Sequence, residues 1–171
     1  DPVLNVPFIP SSSLKGVVRA YIESYSGSRQ EILSLKDRVD LLFGSSKEGV
    51  GLAHFFDAYP IECGEGNKLM EPDVITPHYS EVGGSIDEAS SRPTPLVFPT
   101  IARNVKFGII VAVNYCNEQG GKRLSSSDLN SLIKALTEAL SAGIGAKTSV
   151  GYGRLSARLE KSAHSCKAGL S

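Results

Sequence analysis

The chain has 171 residues, 41% of them hydrophobic, and its 18 Lys and Arg balance 18 Asp and Glu to a formal net charge of zero. That is enough sequence for one domain with a real core. No apolar run nears the roughly 20 residues of a membrane span, and the neutral balance argues against indiscriminate nucleic-acid binding. Cys63, Cys116 and Cys166 are widely spaced and form no C-x-x-C pair, which argues against a zinc site and for a reducing, cytoplasmic compartment. No initiator methionine or signal segment leads the chain, so Asp1 reads as a trimmed start.

The first element is a helix. Pro10 ends an extended segment, Ser11, Ser12 and Ser13 are candidate N-caps, and Leu14, Val17, Val18, Tyr21, Ile22 and Tyr25 recur at helical spacing. Lys15 and Arg19 lie one turn apart on another face near the helix start. Serines at a helix N-terminus followed by two cations suit a phosphate. Ordinary capping and an i, i+4 pair between Arg19 and Glu23 explain the same residues without a ligand. Gly16 costs about 1 kcal/mol relative to Ala inside a helix, which points to close approach by another backbone or a ligand.

Asp37–Phe43 continues as a short helix ended by Gly44, and Leu52–Tyr59 reads as a strand with Phe55 and Phe56 in the core. The stretch from Glu62 to Pro95 is rich in Gly, Pro, Ser and acids and is too long for a plain connection; such excursions are functional or disordered. Between Asp57 and Glu88, the acids Asp57, Glu62, Glu65, Glu71, Asp73, Glu81, Asp87 and Glu88 face a single base, Lys68. From Gly143 onward the bias reverses: Lys147, Arg154, Arg158, Lys161 and Lys167 against Glu160. This polarity suits a basic binding face with an acidic face turned elsewhere; an ordinary solvated surface with an acidic loop is the plainer account. Asp57, Glu71, Asp73 and His78 show no metal-ligand spacing, and no metal or cofactor is expected.

Phe107–Cys116 is apolar on both faces and reads as a central strand. Leu129, Leu132, Ile133, Leu136 and Leu140 then form a helical stripe with Ser126, Ser127 and Asp128 as N-cap candidates. Gly143 stands where a left-handed C′ glycine would end that helix. Beyond it, Leu155, Ala157 and Leu159 alternate with polar residues as in a half-buried strand.

Between helix and strand lies the most informative segment, Gly143-Ile144-Gly145-Ala146-Lys147-Thr148-Ser149-Val150-Gly151-Tyr152-Gly153-Arg154. Gly143, Gly145, Gly151 and Gly153 at fixed offsets imply sharp turns or close approach. Lys147, Thr148 and Ser149 add a cation and two hydroxyls, chemistry suited to gripping phosphates. A P-loop does not fit, because Ala146 rather than Gly precedes Lys147 and Ser141 stands where its first glycine belongs. The dinucleotide fingerprint fails at Thr148, and both motifs require strand before helix, the reverse of the order here. The element order, with a strand supplied before Pro10, makes an α+β protein, a ferredoxin-like (RRM-like) βαββαβ sandwich with an enlarged hairpin and a C-terminal glycine-rich loop, in one domain over residues 1–171.

The spacing of GIGAKTSVGYG resembles the signature glycine loop of the RAMP superfamily of CRISPR-associated proteins, and PFIPSSSLKGVVR resembles the motif these proteins carry at their first helix, with Ser11 where the family pattern has Gly. LFGSSKEGVGLAHFFDAYP and DVITPHYSEV narrow the resemblance, which runs from Pro7 to Arg158, to the sixth-subunit family of type III-B (Cmr) effector complexes. The resemblance implies a non-catalytic RNA-binding subunit that holds guide RNA toward its 3′ end and contacts guide and target RNA and other Cmr subunits, with no membrane and no small-molecule substrate. By the same resemblance Ser12, Ser13, Lys15, Arg19, Lys147, Thr148, Ser149, Tyr152 and Arg154 contact RNA backbone, and His78 and Tyr79 stack on a base or position RNA.

Two other classes compete. Some RAMP proteins are metal-free endoribonucleases; that chemistry needs two proton-transfer groups flanking a ribose 2′-OH, for which His78 and Tyr79 are the adjacent pair and His54 a possible partner. A pure protein-docking subunit is the third, and it leaves the cation-bearing glycine loop without a purpose.

Overall fold

The computed structural model describes residues 1–76, 81–82, 85–86, 95–114 and 124–159. These fall into two compact units, one of Ser11–Phe55 with the chain from Val111 onward, the other of Asp1–Pro10 with Phe56–Ile110. The mixture of helices and short antiparallel strands is α+β, as the sequence pattern requires.

In the helical unit, α1 (Ser11–Ser24) buries Leu14, Val18 and Ile22, the i, i+4, i+8 line of its apolar stripe. Tyr21 packs at the stripe's edge, its ring 5.8 Å from that of Tyr25. Two short helices follow, α2 (Gln30–Lys36) and α3 (Val39–Phe43); α2 has no counterpart in the sequence reading, and α3 is the helix expected before Gly44. A two-residue hairpin, β1 (Gly44–Ser45) with β2 (Gly49–Val50), leads to β3 (Ala53–Phe55), which pairs antiparallel with β10 (Val111–Val113). A Cβ at Gly51 would come within 2.4 Å of the Leu42 carbonyl oxygen, so only glycine lets the chain pass beneath α3.

The last helix, α4 (Ser126–Ala142), packs on α1 and α2. Its buried line is Leu132, Ala135, Ala139 and Leu140, whereas Leu129, Ile133 and Leu136 are half-buried. The small side chains of Ala135 and Ala139 thus face the core and the leucines flank them. Val18, Ile22, Leu35, Val39, Leu42 and Phe43 complete this core, with the ring of Phe43 stacked 6.0 Å from Phe55. Phe56, expected inside with Phe55, lies just past the end of β3 and is 51% exposed.

The second unit is a set of antiparallel ribbons. An isolated bridge joins Ile9 to Ala58; β4 (Tyr59–Glu62) pairs with β9 (Lys106–Gly108) through a register shift between Pro60 and Glu62. β5 (Met70–Ile75) pairs with β8 (Leu96–Ile101), and β6 (Glu81–Val82) with β7 (Ser85–Ile86). Within the Glu62–Pro95 excursion, Met70–Ile75, Glu81–Val82 and Ser85–Ile86 are therefore paired backbone. The continuous strands expected over Leu52–Tyr59 and Phe107–Cys116 are each split into two short ones, at Phe56–Ala58 and Ile109–Ile110. No strand forms over Leu155–Leu159; the Leu155 N–H instead donates to the Leu140 carbonyl of α4 at 3.0 Å.

Candidate nucleic-acid interface

The first turn of α1 is one half of the candidate site. The helix begins at Ser11, so Ser12 and Ser13 lie within the turn rather than at a cap before it, and both are exposed. The first-turn N–H groups of a helix have no intrahelical partners, and α1 has no acid there to neutralise its positive end. Lys15 is half-buried one residue further on and forms no ion pair among the described residues. Gly16 was expected to mark a close approach, yet nothing lies within 4 Å of where its Cβ would stand. Its surface is open.

Arg19 has protein partners. Its Nε donates to Glu23 at 2.8 Å, one Nη to the Gly44 carbonyl at 3.2 Å and the other to Asp40 at 3.3 Å. The Glu23 hydrogen bond, with further help from Asp40, raises the guanidinium's already high pKa. The i, i+4 pair foreseen as the alternative to phosphate binding is thus present, and Arg19 ties α1 to the turn after α3.

The glycine loop is the other half, in the same unit, leaving the C-terminal end of α4. Gly143 ends the helix with φ +124° and ψ 149°, a positive φ but not the left-handed helical conformation expected of a C′ glycine. A Cβ there would sit 2.6 Å from a Thr148 carbon, so the half-buried Thr148 closes over Gly143. The Ile144 N–H donates to the Gly153 carbonyl at 2.9 Å, pinching the loop shut. Within it Lys147 takes a left-handed conformation (φ 61°, ψ 29°), which initiates a 3-10 turn over Thr148–Val150 that Gly151, at φ 102°, ends. Lys147, Ser149 and Arg154 are exposed, Tyr152 is half-buried, and the Tyr152 N–H returns to the Lys147 carbonyl. The backbone N–H groups of Ala146, Thr148 and Ser149 have no acceptor among the described residues. Exposed amides beside a cation on a closed loop are the groups from which anion-binding concavities are built.

His78 and Tyr79 lie outside the described residues. His54 sits in β3 with its Nε2 3.3 Å from the Asn114 side-chain amide. Among the described residues no three His, Cys, Asp or Glu side chains gather to hold a metal ion, and no helix is long and apolar enough to cross a membrane.

Sequence reasoning missed the group that fixes the start of α4. The N-cap is Ser125, whose hydroxyl accepts from the Asp128 N–H at 3.1 Å while the Asp128 carboxylate accepts from the Ser125 N–H at 2.8 Å. Arg38 donates to that same carboxylate at 2.8 Å. The S-x-x-D spacing of a capping box was the available signal.

A serine- and lysine-bearing helix start and a glycine loop thus lie in one α+β unit. The profile of the RAMP superfamily matches residues 1–156, and the chain belongs to that superfamily. It is similar to the CRISPR system CMR subunit Cmr6 of Saccharolobus solfataricus, 37% identical over 152 residues, which are 89% of this chain and 45% of that protein. It is also similar to the CRISPR system Cmr subunit Cmr6 of Pyrococcus furiosus, 33% identical over 133 residues, 74% of this chain and 36% of that one. The chain therefore spans less than half the length of these curated relatives. A chain in the cryo-EM structure of the type III-B Cmr-beta bound to cognate target RNA superposes with a TM-score of 0.67 at 32% identity, over 90% of this chain and 45% of that chain.

Proposed function

We propose that this chain is a non-catalytic, RNA-binding structural subunit of a type III-B CRISPR (Cmr) effector complex, holding guide RNA toward its 3′ end and contacting guide and target RNA and neighbouring Cmr subunits. The observation that carries the reading is the likeness in both fold and sequence, over 90% of the chain, to part of a Cmr-beta assembly bound to target RNA. The site chemistry agrees with it: Ser12, Ser13 and Lys15 at the start of α1, and Lys147, Ser149 and Arg154 on the glycine loop, offer amides, hydroxyls and cations. Such contacts fix backbone and register, while guide–target pairing carries the sequence information. We read the two units as parts of one ferredoxin-like βαββαβ domain, of which α1, β3, β10 and α4 are the middle elements in chain order and Phe56–Ile110 the enlarged hairpin.

The test is a salt titration of RNA affinity in the reconstituted complex. Lys15→Ala and Lys147→Ala should each weaken binding of all RNA sequences alike and flatten the slope of log affinity against log salt by about one unit. An unchanged slope, or a changed base preference, overturns the backbone-contact reading.

A further inference from the structure

Among the described residues, the unit of Asp1–Pro10 and Phe56–Ile110 buries only Ala58 and Ala102; none of its large apolar side chains is buried. The β5–β8 ribbon is the extreme case. Its register sets Met70 opposite Ile101, Pro72 opposite Pro99 and Val74 opposite Val97. Alternation along each strand places these six residues on one face, and every one is exposed: Met70 45%, Val74 52%, Val97 63% and Ile101 43%, with both prolines exposed as well. Glu71, Asp73, Phe98 and Thr100 occupy the opposite face and are half-buried. A two-stranded ribbon is marginal in water unless its apolar face is packed, and a contiguous exposed apolar face marks an interaction surface.

Charge says what covers it. Neither Met70–Ile75 nor Leu96–Ile101 contains a base, and Glu71 and Asp73 lie on the ribbon's back. Elsewhere in this unit's described residues Asp57, Glu62, Glu65 and Glu81 outnumber Lys68, Arg103 and Lys106 further, with Lys106 already paired to Glu62 at 2.6 Å. This field repels a phosphate backbone and attracts lysine and arginine. A proline in each strand also removes backbone donors, which blunts edge-to-edge strand addition and leaves the face as the contact.

We infer that the β5–β8 ribbon docks in a cleft of a neighbouring protein subunit, one wall of which is apolar and meets Met70, Val74, Val97 and Ile101, while the other carries lysine or arginine against Glu71. The inference rests on the reading of the chain as a subunit of an assembly. It separates the two tasks: the basic glycine-loop unit holds RNA and the acidic ribbon holds protein.

A benzophenone photo-crosslinking side chain at position 97, in the complex reconstituted with guide RNA, tests it. The expected product is a link to one protein subunit, mapped to a segment bearing Lys or Arg beside apolar residues. A link to RNA, or none in a complex whose assembly native mass spectrometry verifies, overturns the inference. Independently, Val74→Ser with Val97→Ser should lower incorporation into the complex by about tenfold or more, and Glu71→Lys should lower it too. Unchanged incorporation of both variants overturns the inference. Because the salt slopes of Lys15→Ala and Lys147→Ala report RNA contact alone, they fail separately: a lost salt effect with a retained ribbon crosslink sinks the RNA reading and keeps the docking surface.

Discussion

Gly153→Ala should open the glycine loop, whereas Gly145→Ala should only strain it. At Gly153 the backbone has φ +65°, and an added Cβ would lie 1.9 Å from the Ile144 carbonyl oxygen. Both atoms belong to backbone, so no side-chain rotation relieves the contact. The left-handed conformation costs an L-residue about 1–2 kcal/mol, and forced displacement of a packed segment about 1–3 kcal/mol more. The displaced group is the residue whose N–H makes the 2.9 Å bond to Gly153 that closes the loop. At Gly145 φ is +88° but nothing lies within 4 Å of the added Cβ, and the same holds for Gly151 at φ +102°. Those two substitutions carry the conformational cost alone. Amide hydrogen exchange at Ile144 should therefore accelerate about a hundredfold or more in Gly153→Ala, since 1.4 kcal/mol is about tenfold in an equilibrium, and about tenfold or less in Gly145→Ala. Equal acceleration in the two would mean that the loop is held by something other than this closure.

The contrast among the glycines shows how much the sequence carries. Four glycines at fixed offsets identified a tight turn before any coordinates, and all four do adopt positive φ. Which one is sterically irreplaceable was not legible, because that depends on Ile144 lying over Gly153. Periodicity likewise located α1 and α4 but not their rotation: the leucine spacing drew the eye to Leu129 and Leu136, while the buried line includes Ala135 and Ala139, which hydrophobic counting underweights. The sequence offered Ser126, Ser127 and Asp128 as caps and passed over Ser125, which only the bonds to Asp128 identify. The ribbon was hidden for a different reason. Pro72 and Pro99 argue against strands, and the single apolar face exists only through a register that pairs residues nearly thirty positions apart. Of the site, the serine turn and the loop were visible as composition, but the engagement of Arg19 by Asp40 and Gly44 joins segments that sequence spacing cannot relate.

Asp128 should be the residue through which acid weakens the helical unit. Its carboxylate is buried, which by itself would raise its pKa; hydrogen bonds from the Ser125 N–H and hydroxyl, and the charge of Arg38, outweigh that and hold it below the ordinary carboxylate value. A folded pKa below the unfolded one, about 3.9, contributes stability that is fully present above that unfolded value and is lost as pH falls through the folded one. The window is therefore below about pH 4, and no change is expected between pH 6 and 8 from this group. Asp128→Ala removes the reciprocal cap, worth about 1 kcal/mol, while the exposed Ser125 groups it leaves behind turn to water. The Arg38 pair adds little, because that side chain is 43% exposed and solvent screens it. The total is about 1 kcal/mol at pH 7, or a melting temperature lower by about 2–4 °C for a chain of this size. Asp128→Asn keeps shape and one acceptor, so it should cost less at pH 7 and nearly match wild type at pH 3, below the unfolded carboxylate's pKa, where the wild-type advantage is being lost. Thermal melts of the three proteins at both pH values decide it. A wild type and Asp128→Asn that lose stability in parallel from pH 5 to 3 would assign the acid sensitivity to another carboxylate.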